Sequence, residues 1–176
     1  TDKGGHTTSY TYDAFGNMTQ VADPLGNVTT MTYDAVGNRT SRTDPNGRTT
    51  AYTYDGMNRL IVATDPVGNT TQTQYDGQGN RTQSTDRNGR TTSYQYDLRQ
   101  RLIKTTDPAG EIETQIYDGN DNRTSMTDRN THVTSYQYDS RNRVIRVTDA
   151  LGGVTTMAYD AASNVSSTTD ATAHTT

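Results

Sequence analysis

Aspartate is the residue type in this sequence whose number and spacing could most readily do chemistry. Two columns of aspartates each return with a 21-residue spacing, without an insertion or a deletion. Each member of the first column follows a tyrosine: Asp13, Asp34, Asp55, Asp76, Asp97, Asp118, Asp139 and Asp160. The second column lies about midway between them: Asp23, Asp44, Asp65, Asp86, Asp107, Asp128, Asp149 and Asp170. Carboxylates at a fixed separation could act as the acid and base of a glycosidase, and they are also ligands of Ca²⁺.

Both kinds of site fit the aspartate columns poorly. Acid–base catalysis needs one pair of carboxylates in different environments, whereas every repeat here carries the same two. The glycine-rich nonapeptide of calcium-binding solenoids does not occur in the sequence. Aspartate also accepts backbone hydrogen bonds in tight turns, and a turn requires it at a fixed place. We therefore expect the aspartates to be structural, and we predict no catalytic residue, no cofactor, no metal site and no enzymatic activity.

Histidine occupies one position of the repeat, at His6, His132 and His174. Arg48 and Arg90 stand at the same position in other repeats, and arginine cannot replace histidine as a zinc ligand. The chain has no cysteine, which excludes thiol chemistry. We interpret this position as a basic one that faces an acidic residue or a glycan.

Tyrosine forms a further column, immediately before the first aspartates. Its members are Tyr12, Tyr33, Tyr54, Tyr75, Tyr96, Tyr117, Tyr138 and Tyr159. Two positions earlier, tyrosine returns only in every second repeat, at Tyr10, Tyr52, Tyr94 and Tyr136. If repeats stack, these rings form a ladder. The rings could stack on sugars, but we expect them to form the core, because the chain has few other large side chains to bury.

Arginine is the main cation and also follows the repeat. Arg39, Arg81 and Arg123 form one column, and Arg59, Arg101 and Arg143 form another. We expect salt bridges to the neighbouring aspartates. Because the aspartates offset the charge of these arginines and the pI is about 5.2, we predict no binding of nucleic acid.

Several asparagines precede Ser or Thr by two residues and so match the N-glycosylation pattern. They are Asn17, Asn27, Asn38, Asn69, Asn80, Asn122 and Asn164. Each follows a turn aspartate, so a structural role and a glycosylated one are both open.

The elements that must position these columns are β-hairpins. Residues 48–54 read Arg, Thr, Thr, Ala, Tyr, Thr and Tyr, and the alternation of strand side chains places these residues on one face: Arg48, Thr50, Tyr52 and Tyr54. The run Leu60–Thr64 predicts the returning strand, and Asp, Pro, Gly and Asn between the strands predict tight turns. The hydrophobic fraction is only 28%, and no apolar run is long enough to span a bilayer. The sequence predicts an all-β fold made of 21-residue hairpins.

The sequence also has a longer period of two repeats, because odd and even repeats carry different residue types at some positions. Leu60, Leu102 and Val144 alternate with the arginines Arg39, Arg81 and Arg123. If the array coils into a helix, each repeat lies next to a repeat of the following helical turn. These two repeats are of the same kind only if the number of repeats per helical turn is even. We therefore predict an even number, or a 42-residue symmetric unit. We interpret residues 1–176 as one continuous array of eight repeats and as a fragment of a longer chain.

The pattern Tyr-Asp-x-x-Gly-Asn-Arg, at residues 33–39 and 75–81, resembles the Tyr-Asp (YD) repeat of the RHS family. The stretch Asp-Pro-x-Gly-x-x-Thr at residues 23–29 is also similar. The resemblance covers essentially the whole chain. It implies a spiralling β-sheet that forms a hollow shell or barrel in large secreted or surface proteins, mostly bacterial, with teneurins as animal relatives. In polymorphic toxins and insecticidal toxin complexes such a shell encloses a toxic segment, and carbohydrate binding is also attributed to the repeats.

The uniform repeat length favours one member of this set of functions. A closed shell needs varying curvature, whereas eight repeats without an indel predict a uniform tube or filament. We expect an extracellular or cell-surface structural wall whose partners are neighbouring repeats or further copies of the chain. The alternatives are the wall of a toxin-enclosing shell and an adhesin that binds glycans.

Overall fold

The computed structural model describes residues 7–176, and the first histidine of the basic position, His6, lies outside them. The described residues form strands and turns only, and the strands follow one another in the sheet in chain order. This confirms the all-β fold and the hairpin repeats. The contacts divide the chain into two compact units, unit 1 at residues 1–91 and unit 2 at residues 92–176.

The strands of unit 1 are short: the first has four residues, and the others alternate between five and six. They are β1 (Ser9–Tyr12), β2 (Met18–Ala22), β3 (Val28–Tyr33), β4 (Arg39–Thr43), β5 (Thr49–Tyr54), β6 (Leu60–Thr64), β7 (Thr70–Tyr75) and β8 (Arg81–Thr85). Strand β9 (Thr91–Tyr96) begins at the last residue of this unit. Both predicted strands, β5 and β6, are present within one residue of their expected bounds.

Unit 2 continues with the same alternation. Its strands are β10 (Leu102–Thr106), β11 (Ile112–Tyr117), β12 (Arg123–Thr127), β13 (Val133–Tyr138), β14 (Val144–Thr148), β15 (Val154–Tyr159) and β16 (Val165–Thr169). Within each unit, neighbouring strands pair in an antiparallel arrangement, as a hairpin requires.

Every turn is a five-residue turn that begins at an aspartate. We call those of the first aspartate column the YD turns and those of the second column the return turns. In the YD turn at Asp34, the amide of Gly37 donates to the carbonyl of Asp34 at 3.1 Å, and the amide of Asp34 donates to the carbonyl of Asn38 at 2.9 Å. The fourth residue has a positive φ, 90° at Gly37. These features define a type I turn with a bulge, a common three-residue hairpin loop.

The sequence pattern did not reveal a bulge after each YD turn. In unit 1, Tyr54 pairs with Leu60 but Thr53 pairs with Val62, so Ile61 is an extra residue on the returning strand. The same shift occurs in unit 2 between Ile116 and Tyr117. A bulge places one more residue on one strand than on its partner, which increases the local twist.

The register also contains a constant stagger. In unit 1, Ala51 pairs with Thr64, which pairs with Thr70. Equivalent residues are 21 apart, whereas these aligned residues are 19 apart, so each repeat is displaced by two residues along the strand direction. In unit 2, Thr114, Thr127 and Val133 show the same displacement. Each repeat adds two strands, spaced about 4.8 Å apart, and shifts by two residues of about 3.4 Å each along the strand. The strands are therefore tilted by roughly 35° from the perpendicular to the direction in which the repeats advance.

The expected core of tyrosines is not present among the described residues. Met31, at 6% exposure, is their only buried hydrophobic residue, whereas Tyr10 and Tyr12 are more than half exposed. Most other tyrosines are half-buried. The reason is that residues 7–176 form no helix to cover the sheet, so each ring can pack only against neighbouring strands.

Candidate functional site

The turn aspartates bind the backbone of their own turns, as predicted. In the Asp34 turn, Oδ1 accepts hydrogen bonds from the amides of Val36 at 3.1 Å and Asn38 at 2.8 Å. In the Asp128 return turn, Oδ1 accepts from the amides of Asn130 and His132 at 2.8 and 2.9 Å. Each turn aspartate makes the bond to the amide four residues later. The carboxylates are therefore acceptors for backbone donors that would otherwise have none.

In many turns the second carboxylate oxygen, Oδ2, also accepts a hydrogen bond from the side chain of the fifth residue. In many turns this is an asparagine, as in the 2.9 Å bond from Asn38 Nδ2 to Asp34. All seven asparagines with the glycosylation pattern make this bond. Because the amide nitrogen that would carry a glycan is the donor, the structure gives these asparagines a turn-forming role.

In other turns the fifth residue is basic and forms the expected salt bridge. Arg59 Nη2 lies 2.7 Å from Asp55 Oδ2. Arg143 Nη2 lies at the same distance from Asp139 Oδ2. At the basic position of the return turns, His132 Nδ1 lies 3.1 Å from Asp128. The acidic partner predicted for this position is thus present.

These hydrogen bonds shift the titration of the aspartates. The side-chain hydrogen bond from Asn38, with smaller contributions from backbone amides, lowers the pKa of Asp34 below its ordinary value. The hydrogen bond from Arg59 lowers the pKa of Asp55 in the same way. A hydrogen bond to the ionised form stabilises that form, which is why the pKa falls.

Side chains also connect successive YD turns. Arg101 Nη1 donates to the carbonyl of Asp118 at 2.9 Å and lies 2.7 Å from the carboxylate of Asp121. Among the described aspartates, Asp121 alone lies outside the two columns, and it occupies the fourth position of its turn with a φ of 69°. In unit 1, Asn38 Nδ2 donates to Asn58 Oδ1 at 2.9 Å, between successive YD turns. These contacts hold neighbouring hairpins together at one edge of the sheet.

Six of the tyrosines that precede a YD turn reach back to the preceding hairpin. Tyr54 donates its hydroxyl proton to the carbonyl of Arg39 at 3.0 Å, and Tyr138 donates to the carbonyl of Arg123 at 2.8 Å. The same bond, always fifteen positions back, is made by Tyr33, Tyr75, Tyr117 and Tyr159. The tyrosine ladder therefore joins repeats through hydroxyl groups and not through ring-to-ring contact, because a returning strand separates equivalent rings.

Arginines cover the tyrosine rings in two alternating patterns. In one, the guanidinium of Arg59 lies 4.4 Å from the ring centre of Tyr75. Arg101 over Tyr117 and Arg143 over Tyr159 repeat it at 4.7 and 4.4 Å. The second pattern is different: Arg39 lies over Tyr52 at 4.9 Å, and Arg123 over Tyr136 at 5.1 Å.

The second pattern corrects the salt bridges expected for the column of Arg39 and Arg123. These two arginines lie on the strands beside tyrosines and away from the turn aspartates, so a cation–π contact replaces the ion pair. The two patterns alternate from one repeat to the next. They give the 42-residue period, seen first in the sequence, a physical basis.

The structure does not gather the aspartates into one site. Among residues 7–176 no group of three or more His, Asp or Glu side chains is placed to hold a metal ion. In unit 2 an open groove of about 550 Å³ brings together Asp118, Tyr138 and Asp139, but both carboxylates accept hydrogen bonds from their own turns. No helix among the described residues has the length and apolar character to cross a bilayer.

Comparison with solved structures shows a likeness to toxin-complex proteins. The chain resembles part of the Photorhabdus luminescens Tc holotoxin pore, with a TM-score of 0.63 and 20% identity over 82% of this chain. It also resembles part of the TcdB2–TccC3 structure without its hypervariable C-terminal region, with a TM-score of 0.58 and 18% identity over 92% of this chain. The aligned parts are only 9% and 12% of those chains, and at this identity the likeness concerns the fold.

Comparison with family models gives a more specific result. No curated protein matches the chain. The model described as RHS Repeat matches seven segments, most of which overlap: residues 1–28, 19–47, 33–70, 61–90, 75–112, 117–153 and 138–175. These matches cover nearly all of the sequence and agree with the hairpins and turns described above. The chain belongs to the RHS repeat family.

Proposed function

We propose that this chain is a length of structural wall in a large extracellular or cell-surface protein, in which coiled hairpins form a tube or filament. The observation that carries the proposal is the constant two-residue stagger of the repeats. A constant tilt of the strands is what a sheet needs in order to coil as a regular helix. The wall acts mechanically, through backbone ladders and turn-to-turn contacts, and it performs no catalysis.

The partners of this wall are further repeats of the same kind. Tyrosine hydroxyls and arginine side chains already bind the neighbouring hairpin within each unit, at positions that every further repeat would also supply. A repeat array gains its stability from such nearest-neighbour interfaces. Additional hairpins therefore extend the wall without any new type of contact.

A second candidate function is the wall of a shell that encloses a toxin. It is favoured by the likeness of the fold to parts of the Tc holotoxin pore and of the TcdB2–TccC3 structure. Such a shell uses the same hairpins, but its curvature must change along the chain to close the enclosure.

Electron microscopy of the full-length protein that contains this segment distinguishes the two functions. A tube or filament predicts elongated particles of constant diameter, with the 21-residue hairpins following a regular helix. A shell predicts compact, closed particles that protect an internal segment from protease until they are opened. Monomers without any ordered wall would contradict both.

A further inference from the structure

The faces of the sheet and its turns carry opposite charge. All described aspartates lie in turns, together with Glu111. The strands formed by residues 7–176 carry a single carboxylate, Glu113, and six cations: Arg39, Arg42, Arg81, Lys104, Arg123 and Arg146. A protein with a net charge of −4 therefore presents cationic strands between acidic edges.

Two of these cations lie together on the face that bears the tyrosines. Arg39 pairs across the sheet with Tyr33, and Arg42 pairs with Met31. Directly opposed residues share a face, and so do residues two apart on a strand, so Arg39 and Arg42 are on the same face. The tyrosine face of unit 1 has no carboxylate among its described residues.

Arg39 is held in place but lacks an acceptor. Its guanidinium lies over the ring of Tyr52 at 4.9 Å, while its backbone carbonyl accepts the hydroxyl of Tyr54 at 3.0 Å. Its Nε is buried and has no hydrogen-bond partner among the described residues. The sheet therefore does not use the full hydrogen-bonding capacity of this guanidinium.

Arg42 supplies a second cation beside it. The side chain is exposed and has no hydrogen bond or ion pair to any residue within 7–176. No other repeat has a cation at this position, which is filled by Val21, Ala63, Ser84, Thr105, Met126, Val147 and Thr168. The pair of arginines therefore occurs once, where the array departs from its own pattern. Departures of this kind are expected at functional positions.

We propose that Arg39 and Arg42 form a binding site for an extended acidic peptide segment. Their cross-strand partners, Tyr33 and Met31, are two positions apart, so the arginines are separated by about 7 Å along the strand direction. Carboxylates at positions i and i+2 of an extended peptide have the same separation and the same side. Each guanidinium can bind one carboxylate through its free N–H groups. This site does not depend on whether the array forms a tube or a shell.

The test uses the protein labelled with ¹⁵N at arginine and two synthetic peptides of equal charge. Thr-Glu-Thr-Glu-Thr presents its carboxylates on one side of an extended chain, whereas Thr-Glu-Glu-Thr-Thr presents them on opposite sides. We expect the first peptide to shift the Nε–H signal of Arg39 and to bind about fivefold more tightly than the second. Equal binding of the two peptides would contradict the proposal, since it would reflect overall charge alone.

Two variants test the requirement for the second arginine. R42V introduces valine, which stands at the same position in two other repeats, and it is expected to abolish the preference for the first peptide. S84R places a second arginine beside Arg81, two repeats further along the chain, and is expected to create a second site with the same preference. A disaccharide of two uronic acids serves as the remaining probe. If it shifts the Arg39 signal more than the first peptide does, the assignment to a peptide is wrong.

Discussion

At the scale of single residues, the fourth position of each turn combines a fixed backbone requirement with a variable side chain. Its φ is positive throughout, from 59° at Asn142 to 93° at Gly79. In the turns that the structure describes, nine of these residues are glycine and seven are not. Because a side chain at positive φ brings Cβ close to the backbone, a β-branched residue such as Thr131, with a φ of 65°, is strained there.

We expect T131G to stabilise the protein by about 1 kcal/mol, because glycine adopts this φ without strain. The matched control is G89T in the equivalent return turn, two repeats earlier in the chain, where a Cβ would meet no atom within 4 Å. Backbone strain alone should make G89T destabilising by a similar amount. Urea unfolding of both variants measures the effect, and changes of the same sign would contradict the assignment to φ.

The turn aspartates predict a stability that falls in acid. Their hydrogen bonds lower the folded-state pKa of residues such as Asp34, Asp76 and Asp118 below the value in the unfolded chain. A lowered pKa contributes stability that is complete above the unfolded value of about 3.9 and is lost as the pH falls through the folded value. The urea concentration at the midpoint of unfolding should therefore be constant near neutral pH and decrease below about pH 4.

A substitution can connect this pH dependence to the turns. D34N retains an oxygen acceptor in its turn but removes one titrating group, so the decrease in acid should be smaller than in the parent protein. A midpoint that stays constant from neutral pH into acid would show that the aspartate hydrogen bonds do not control stability there.

At the scale of elements, hairpins are joined by the backbone ladder and by bonds from one hairpin to the next. The tyrosine hydroxyl is the most regular of these bonds, since six tyrosines donate to the carbonyl fifteen positions earlier. It connects the end of one long strand to the start of the preceding returning strand. Regular contacts of this kind are what an array uses in place of a large core.

We expect Y138F to destabilise the protein by about 1 kcal/mol, because it removes the 2.8 Å bond to the carbonyl of Arg123. Y12F is the matched control: Tyr12 is 56% exposed and its hydroxyl has no partner among the described residues. Thermal or urea unfolding of both variants provides the measurement. If Y12F lowers the free energy of unfolding as much as Y138F does, the hydrogen bond of the Tyr138 hydroxyl is not the cause of the destabilisation.

At the scale of the whole molecule, the alternation of the two arginine–tyrosine patterns limits how repeats can be arranged. Arg39 covers a tyrosine thirteen positions later, whereas Arg59 covers one sixteen positions later. Neighbouring repeats therefore differ, and the 42-residue pair is the unit that recurs. In a coiled wall, successive helical turns present the same kind of surface to each other only if each helical turn contains a whole number of 42-residue pairs.

We predict that a helical reconstruction of the assembled wall will show an even number of 21-residue hairpins per turn, or symmetry based on the 42-residue unit. The tilt of the strands provides an independent check, and it should be close to the roughly 35° that the register implies. An odd number of identical hairpins per turn would contradict this prediction.

The sequence by itself determined the hairpin, its turns, the 42-residue period and the family. These depend on contiguous residues, because Asp, Gly and Asn fix a turn within five positions and alternation fixes the faces of a strand. Only the tertiary structure decided the bulge at Ile61, the two-residue stagger and the choice of Arg39 for Tyr52 in place of an aspartate. Those features depend on which residue of the neighbouring strand lies opposite. An arginine side chain can reach both a carboxylate and an aromatic ring, and its interactions with the two are of similar strength. The register of the sheet decides which of them lies next to the guanidinium.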